Sequence, residues 1–168
     1  MKPVHNFYSS NSTMQYTTAP LAEKYKFKVY ELFVDNWPKK SESDFENSWD
    51  GRNDETSVAI LSATEGTRGM FLGFVITSYY KRNGDNLYID YIALTNKCKG
   101  NGIGSSILAS YVTKAFTNRS SIHLWPDKDE LVAWYERYGF SNTNDGYYNF
   151  HSYETRRQSK IHKMLGFS

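Results

Sequence analysis

The chain holds one cysteine, Cys98, among 168 residues. A lone thiol closes no intramolecular disulfide and builds no paired-cysteine zinc site. That suits a reducing compartment. Net charge is nearly absent too, with 20 Lys and Arg against 18 Asp and Glu. This balance gives no whole-molecule electrostatic reason to expect nucleic acid. No apolar run approaches the roughly 18 residues of a membrane-spanning helix. Met1 to Pro20 is polar and lacks the continuous apolar core of a secretory signal. We expect a soluble, cytoplasmic protein with no membrane contact. No metal is expected. No Gly-Lys-Ser/Thr follows the glycine-rich stretch, which argues against a P-loop hydrolase.

Aromatics are plentiful, at 17% of the chain with 14 Tyr and 10 Phe. Disordered chains are poor in such residues, so a folded globule is expected. The reading is one α/β domain over residues 14–155. A flexible arm of residues 1–13 precedes it, and a basic tail or short helix of residues 156–168 follows. Met14–Thr18 reads as a first strand. A helix opens at Pro20, carries Leu21, Tyr25, Val29, Leu32 and Phe33 at helical spacing, and ends near Asn36-Trp37-Pro38. A short helix over Ser43–Trp49 is capped by Ser43 or Asp44. Strands are expected over Ser57–Ala63, Met70–Tyr80 and Leu87–Leu94. A helix from Ile103 shows an apolar stripe through Ile107, Leu108, Tyr111, Val112, Ala115 and Phe116. Then follow a strand over Ser121–Trp125, a helix over 129–138 and a last strand over Tyr147–Tyr153. Asp127 with Glu130 resembles a capping box for that last helix. Gly139 ends it.

The segment richest in chemistry is Lys99-Gly100-Asn101-Gly102-Ile103-Gly104, between a strand and a helix. A helix start leaves backbone N–H groups without partners. The helix dipole adds partial positive charge there. Glycines let the backbone curl and a ligand approach. A pyrophosphate can therefore rest on the N–H groups of residues 99–105, up to Ser105, with Lys99 adding charge. By itself the turn is equally a tight helix cap.

The run Ile92-Ala93-Leu94-Thr95-Asn96-Lys97-Cys98-Lys99-Gly100-Asn101-Gly102-Ile103-Gly104 resembles the first signature of the GNAT N-acetyltransferase family. Lys99 stands where the family has Arg or Gln. Further on, Ala133-Trp134-Tyr135-Glu136-Arg137-Tyr138-Gly139-Phe140 is similar to the family's second signature, Tyr-Glu-x-x-Gly-Phe. The resemblance covers roughly residues 57–150. It implies a mixed, centrally splayed β-sheet flanked by helices on both faces. The parallel pair at the splay would be Leu87–Leu94 and Ser121–Trp125.

The resemblance also implies a reaction. Acetyl-CoA serves as co-substrate, with its pantetheine arm along the backbone of Ile92, Ala93 and Leu94 and its pyrophosphate on residues 99–104. A primary amine attacks the thioester directly. Tyr135 would donate to the departing thiolate; its competing role is core packing. His123 and Asp90 are the two candidate bases, and a water chain to a distant carboxylate is a third route. Lys128 stands where relatives carry a pantetheine-contacting Asn and could instead meet a CoA phosphate. Cys98 is expected to pack rather than react. The acceptor is a small-molecule or peptide amine. Acidic Asp44, Glu46, Asp50 and Asp54 would favour a cation, and Trp37, Trp49, Tyr147 and Tyr148 could wall its pocket. A homodimer fits the family. The competing function is a catalytically silent acyl-CoA-binding or regulatory module. A basic run, Arg156–Lys163, reads first as a solvated face and second as an RNA contact.

Overall fold

The computed structural model describes residues 6–9, 12–17, 23–49, 56–65, 68–80, 86–98, 100–144 and 146–151. The chain divides into two compact units. The first is Met1–Ser78 with Tyr91–Ser106, and the second is Tyr79–Asp90 with Ile107–Ser168.

In the first unit, β1 (Asn6–Ser9), β2 (Ser12–Thr17), β3 (Thr56–Glu65) and β4 (Arg68–Tyr80) are successive antiparallel neighbours. Residues Leu72 to Thr77 of β4 are all buried. Such a run marks a strand covered on both faces. The next strand, β5 (Asn86–Leu94), contributes Tyr91–Leu94 to this unit. The Thr95 N–H donates to the Leu72 carbonyl at 2.8 Å. A Cβ on Gly73 would collide with the Ala93 carbonyl oxygen, so glycine permits that close approach.

Helix α1 (Lys26–Asn36) buries Val29 and Phe33, one turn apart. Its end is set by Trp37, whose N–H returns to the Phe33 carbonyl at 2.8 Å, and by Pro38. Helix α2 (Glu42–Trp49) buries Phe45 and Trp49. These four side chains pack with Phe74, Ile76 and Ala93 as the core of the unit.

In the second unit, β5 pairs in parallel with β6 (Ser121–Leu124), from Asn86↔Ser121 to Ile89↔Leu124. Strand β8 (Tyr148–His151) lies antiparallel to β6 and also holds the two-residue β7 (Ser141–Asn142). Helix α3 (Ile103–Asn118) begins in the first unit and runs into the second, and α4 (Asp129–Glu136) follows β6. Alternation sorts the strands. Ile89, Ile122, Leu124, Tyr148 and Phe150 are buried, as are Ile107, Leu108, Val112 and Ala115 of α3. Parallel and antiparallel pairs together make this a mixed α/β fold, as expected.

Several boundaries differ from the sequence reading. Residues 6–9, assigned to the arm, form β1, whose register Ser9↔Ser12 pairs it with β2. The cap of α2 is Ser41, not Ser43 or Asp44. Its Oγ accepts from the Asp44 N–H at 3.1 Å, while Asp44 Oδ2 accepts from the Ser41 N–H at 2.8 Å. This reciprocal pair puts the carboxylate at the third helical position. Helix α4 starts with Lys128 as N-cap and no side-chain cap bond, so Asp127 stands one residue outside the expected box. Gly139, at φ +89, does terminate that helix, with the Phe140 N–H reaching the Tyr135 carbonyl at 3.4 Å. Pro20, the proposed helix start, and the 156–168 tail lie outside the described residues. No helix among the described residues is long and apolar enough to cross a membrane.

Candidate active site

The glycine turn lies in the first unit. A single 3₁₀ turn, Asn96–Cys98, leads from β5 toward it. Gly100 and Gly102 take left-handed conformations, φ +81 and +74. Both are exposed, and a Cβ on either would meet nothing within 4 Å. The first backbone bond of α3 is the Ser106 N–H to the Gly102 carbonyl, at 3.0 Å. The N–H groups of Ile103 and Gly104 therefore precede the helical ladder. Their geometry fits an anion such as a pyrophosphate: open space, two residues curled by glycine, and the positive helix end. The Asn101 amide donates to the Lys97 carbonyl at 3.3 Å, which spans the turn. Lys99 lies outside the described residues. Cys98 is buried, with its sulfur 3.3 Å from Thr95 Oγ1. That placement agrees with packing.

Residues Ile92, Ala93 and Leu94 close β5 in the same unit. Ala93 is buried and its neighbours are half-buried. Strand β6 ends at Leu124, opposite Ile89, so β5 outlasts its parallel register by Asp90–Leu94.

Tyr135 belongs to the second unit, on α4. It is only 5% exposed, and its ring meets Phe140 edge to face at 5.9 Å. Burial, with a contribution from the Asp127 charge, pushes its hydroxyl up to about 12. A phenol in this setting stays protonated through the physiological range. Its ring is thus part of the core, and its hydroxyl keeps its proton. Lys128 is exposed at the start of α4.

His123 and Asp90 lie in the second unit as well. The outer face of its sheet carries Tyr88, His123 and Asn149 in one cross-strand row. The Asn149 carboxamide oxygen faces His123 Nδ1. A carbonyl oxygen only accepts, so the Nδ1–H is the donor of this pair. Tyr88 stacks on the imidazole at 4.7 Å, 18° from parallel. His151 meets it edge-on at 6.0 Å. The ring is held on three sides, and its Nε2 is buried. Asp90, near the end of the parallel pair, is exposed. Asn149 was missed from sequence, although a polar residue between Tyr148 and Phe150 signals the non-core face of a strand. Trp125 was missed too: it is 55% exposed just beyond β6.

The residues offered for acceptor binding divide. Glu46 pairs with Lys26 at 2.8 Å, and Asp44 serves the α2 cap. Its Ser41 hydrogen bonds hold the Asp44 carboxyl below the usual range. Trp49 is core, with its indole N–H donating to Glu23 at 3.1 Å. Trp37 packs edge-on to Tyr91 at 4.9 Å. Tyr148 is buried, and only Tyr147 is exposed. Asp50 and Asp54 lie outside the described residues. A cavity of about 240 Å³ in the second unit, lined by Tyr111, Lys114 and Ser120 among others, contains none of the sequence-selected residues.

Comparisons with known proteins bear on the family and the fold. The family model described as Acetyltransferase (GNAT) family matches residues 26–140. No curated protein sequence matches the chain significantly. Among solved structures, Tetrahymena GCN5 superposes with a TM-score of 0.59 at 11% identity, over 77% of this chain and 87% of that one. AtaTR bound with AcCoA gives 0.59 at 14%, over 90% and 99%. A protein from Desulfovibrio desulfuricans, described as of the GNAT family, gives 0.60 at 13%, over 84% and 99%. Identities this low speak for the fold.

Proposed function

Because the chain belongs to the GNAT acetyltransferase family, we propose that it transfers an acetyl group from acetyl-CoA to a primary amine by direct attack in a ternary complex. The observation that carries this reading is the turn at the start of α3, where left-handed Gly100 and Gly102 open onto empty space. Backbone N–H groups over Gly100–Ser105, with Lys99, would hold the pyrophosphate, and Lys128 a further phosphate. Ile92, Ala93 and Leu94 would offer strand-edge backbone to the pantetheine.

Acetyl-CoA supplies an activated acyl carbon and a thiolate leaving group. The chain's own groups manage protons. The acceptor must lose a proton before its nitrogen attacks. Asp90 is the candidate that solvent and acceptor can reach. His123, with Nε2 buried, is the second. As the N–C bond forms, a backbone N–H near Leu94 meets the developing oxyanion. As the C–S bond breaks, Tyr135 donates to sulfur. Its raised affinity for the proton keeps that donor loaded.

The test is acetyl-CoA with a panel of primary amines, followed by release of free thiol. Amine-dependent release is expected. CoA binding without release from any amine would instead establish a silent module, and no CoA binding would overturn both readings. Asp90→Asn and His123→Ala are to be compared across pH. The variant that alters the acidic limb of the rate profile identifies the base, and two unaltered limbs would remove both.

A further inference from the structure

Exposed aromatics of the second unit converge at the end of β6. The register Leu124↔Tyr148 makes Trp125 and Tyr147 the next cross-strand neighbours. Their rings meet edge to face at 5.1 Å. Tyr147 also meets Tyr88 edge-on at 6.3 Å. On β5, Asp90 follows Ile89, whose partner is Leu124, so the same row carries an exposed carboxylate. Trp125 and Tyr147 are 55% and 38% exposed. Gly146, at φ +91, yields its side-chain position to the indole: a Cβ there would strike the Trp125 ring. The glycine thus leaves room for the benzo ring of an indole that remains half in water.

Charge decides what such a surface suits. Exposed π faces carry negative potential, and a carboxylate in the same row adds to it. Both attract a cation, and the ring faces also accept an aliphatic stem. A sugar ring carries hydroxyls on most of its carbons, and the row has the indole N–H, the Tyr147 hydroxyl and the Asp90 carboxylate to meet them.

Building on the proposed acetyl transfer, we propose that the Asp90–Trp125–Tyr147 row is the acceptor subsite and that it selects an alkylammonium on an aliphatic stem, the chemistry of a polyamine or a lysine side chain.

The test titrates the full chain, without acetyl-CoA, with 1,5-diaminopentane and with glucosamine, while tryptophan emission is recorded. A saturable change with the diamine is expected. It should be absent from Trp125→Phe and weakened in Gly146→Ala, where a methyl displaces the indole. Glucosamine should produce none. In the transfer assay, Trp125→Ala should raise the diamine KM about tenfold and leave that for acetyl-CoA unchanged. A response retained in Trp125→Phe, an equal response to glucosamine, or an unchanged diamine KM would overturn the subsite. Diamine binding through Trp125 without acetyl transfer would leave the subsite standing and remove the proposed reaction.

Discussion

Trp37 and Trp49 in the first unit, and Trp125 in the second, are the same residue type with opposite surroundings. The first two pack among Phe33, Phe45 and Tyr91, and the Trp49 indole N–H is matched to Glu23. Trp125 lies over a glycine with more than half its surface in water. The acids divide in the same way. Asp44 and Glu46 serve a helix cap and an ion pair within the first unit, whereas Asp90 lies exposed in the middle of β5. Phe33 of α1 and Phe45 and Trp49 of α2 are buried against one another, while Phe27 of α1 is exposed. The outer sheet face of the second unit leaves Trp125 and Tyr147 partly in water. Aromatic and acidic composition therefore allows a cation-binding pocket somewhere, and neighbours decide where.

Substitutions at four positions probe this contrast. Phe33→Ala should have the largest effect, since Phe33 is fully buried. Loss of about 3–5 kcal/mol is expected by urea unfolding, against under about 1 kcal/mol for Trp125→Ala. Equal losses would erase the distinction. Tyr135→Phe should keep the ring packing yet lower kcat by about a hundredfold, with the KM for acetyl-CoA unchanged; full turnover would leave Tyr135 a core ring only. The same hydroxyl makes a pH prediction. The unfolded phenol ionises near 10 and the folded one at about 12, so the unfolded state loses its proton first. This stabilisation is whole below pH 10 and is lost as pH rises through 12. Tyr135→Phe should flatten that part of the alkaline stability curve. Gly102→Asp should act most locally. A carboxylate at φ +74 is strained and faces the anion, so CoA affinity should fall about tenfold or more, with Gly102→Ala losing less. Wild-type CoA affinity in Gly102→Asp would move the phosphate away from the turn.

Much of the fold was legible in the chain. β-rich runs between glycine turns and helical apolar patterns located β3 to β6 and α2 to α4 within a few residues, while the helix expected from Pro20 is α only from Lys26. Helix starts were less legible. Ser41 competes with Ser43 and Asp44 for the same capping geometry, and only the helix that forms decides among them. β1 was missed because its Asn-Phe-Tyr-Ser is strand only through pairing with β2. In the candidate site, the glycine turn and Tyr135 stood out because their spacing resembles a known pattern. Asn149 and Trp125 did not, because each gains its place from a register across strands far apart in sequence.

The sequence by itself determined that the chain folds as mixed α/β and carries a helix start suited to phosphate, since both follow from local spacing and backbone freedom. Only the tertiary structure decided which carboxylates and indoles are spent on packing, and which proton His123 holds. Those depend on cross-strand neighbours, and composition is the same whichever way the strands align.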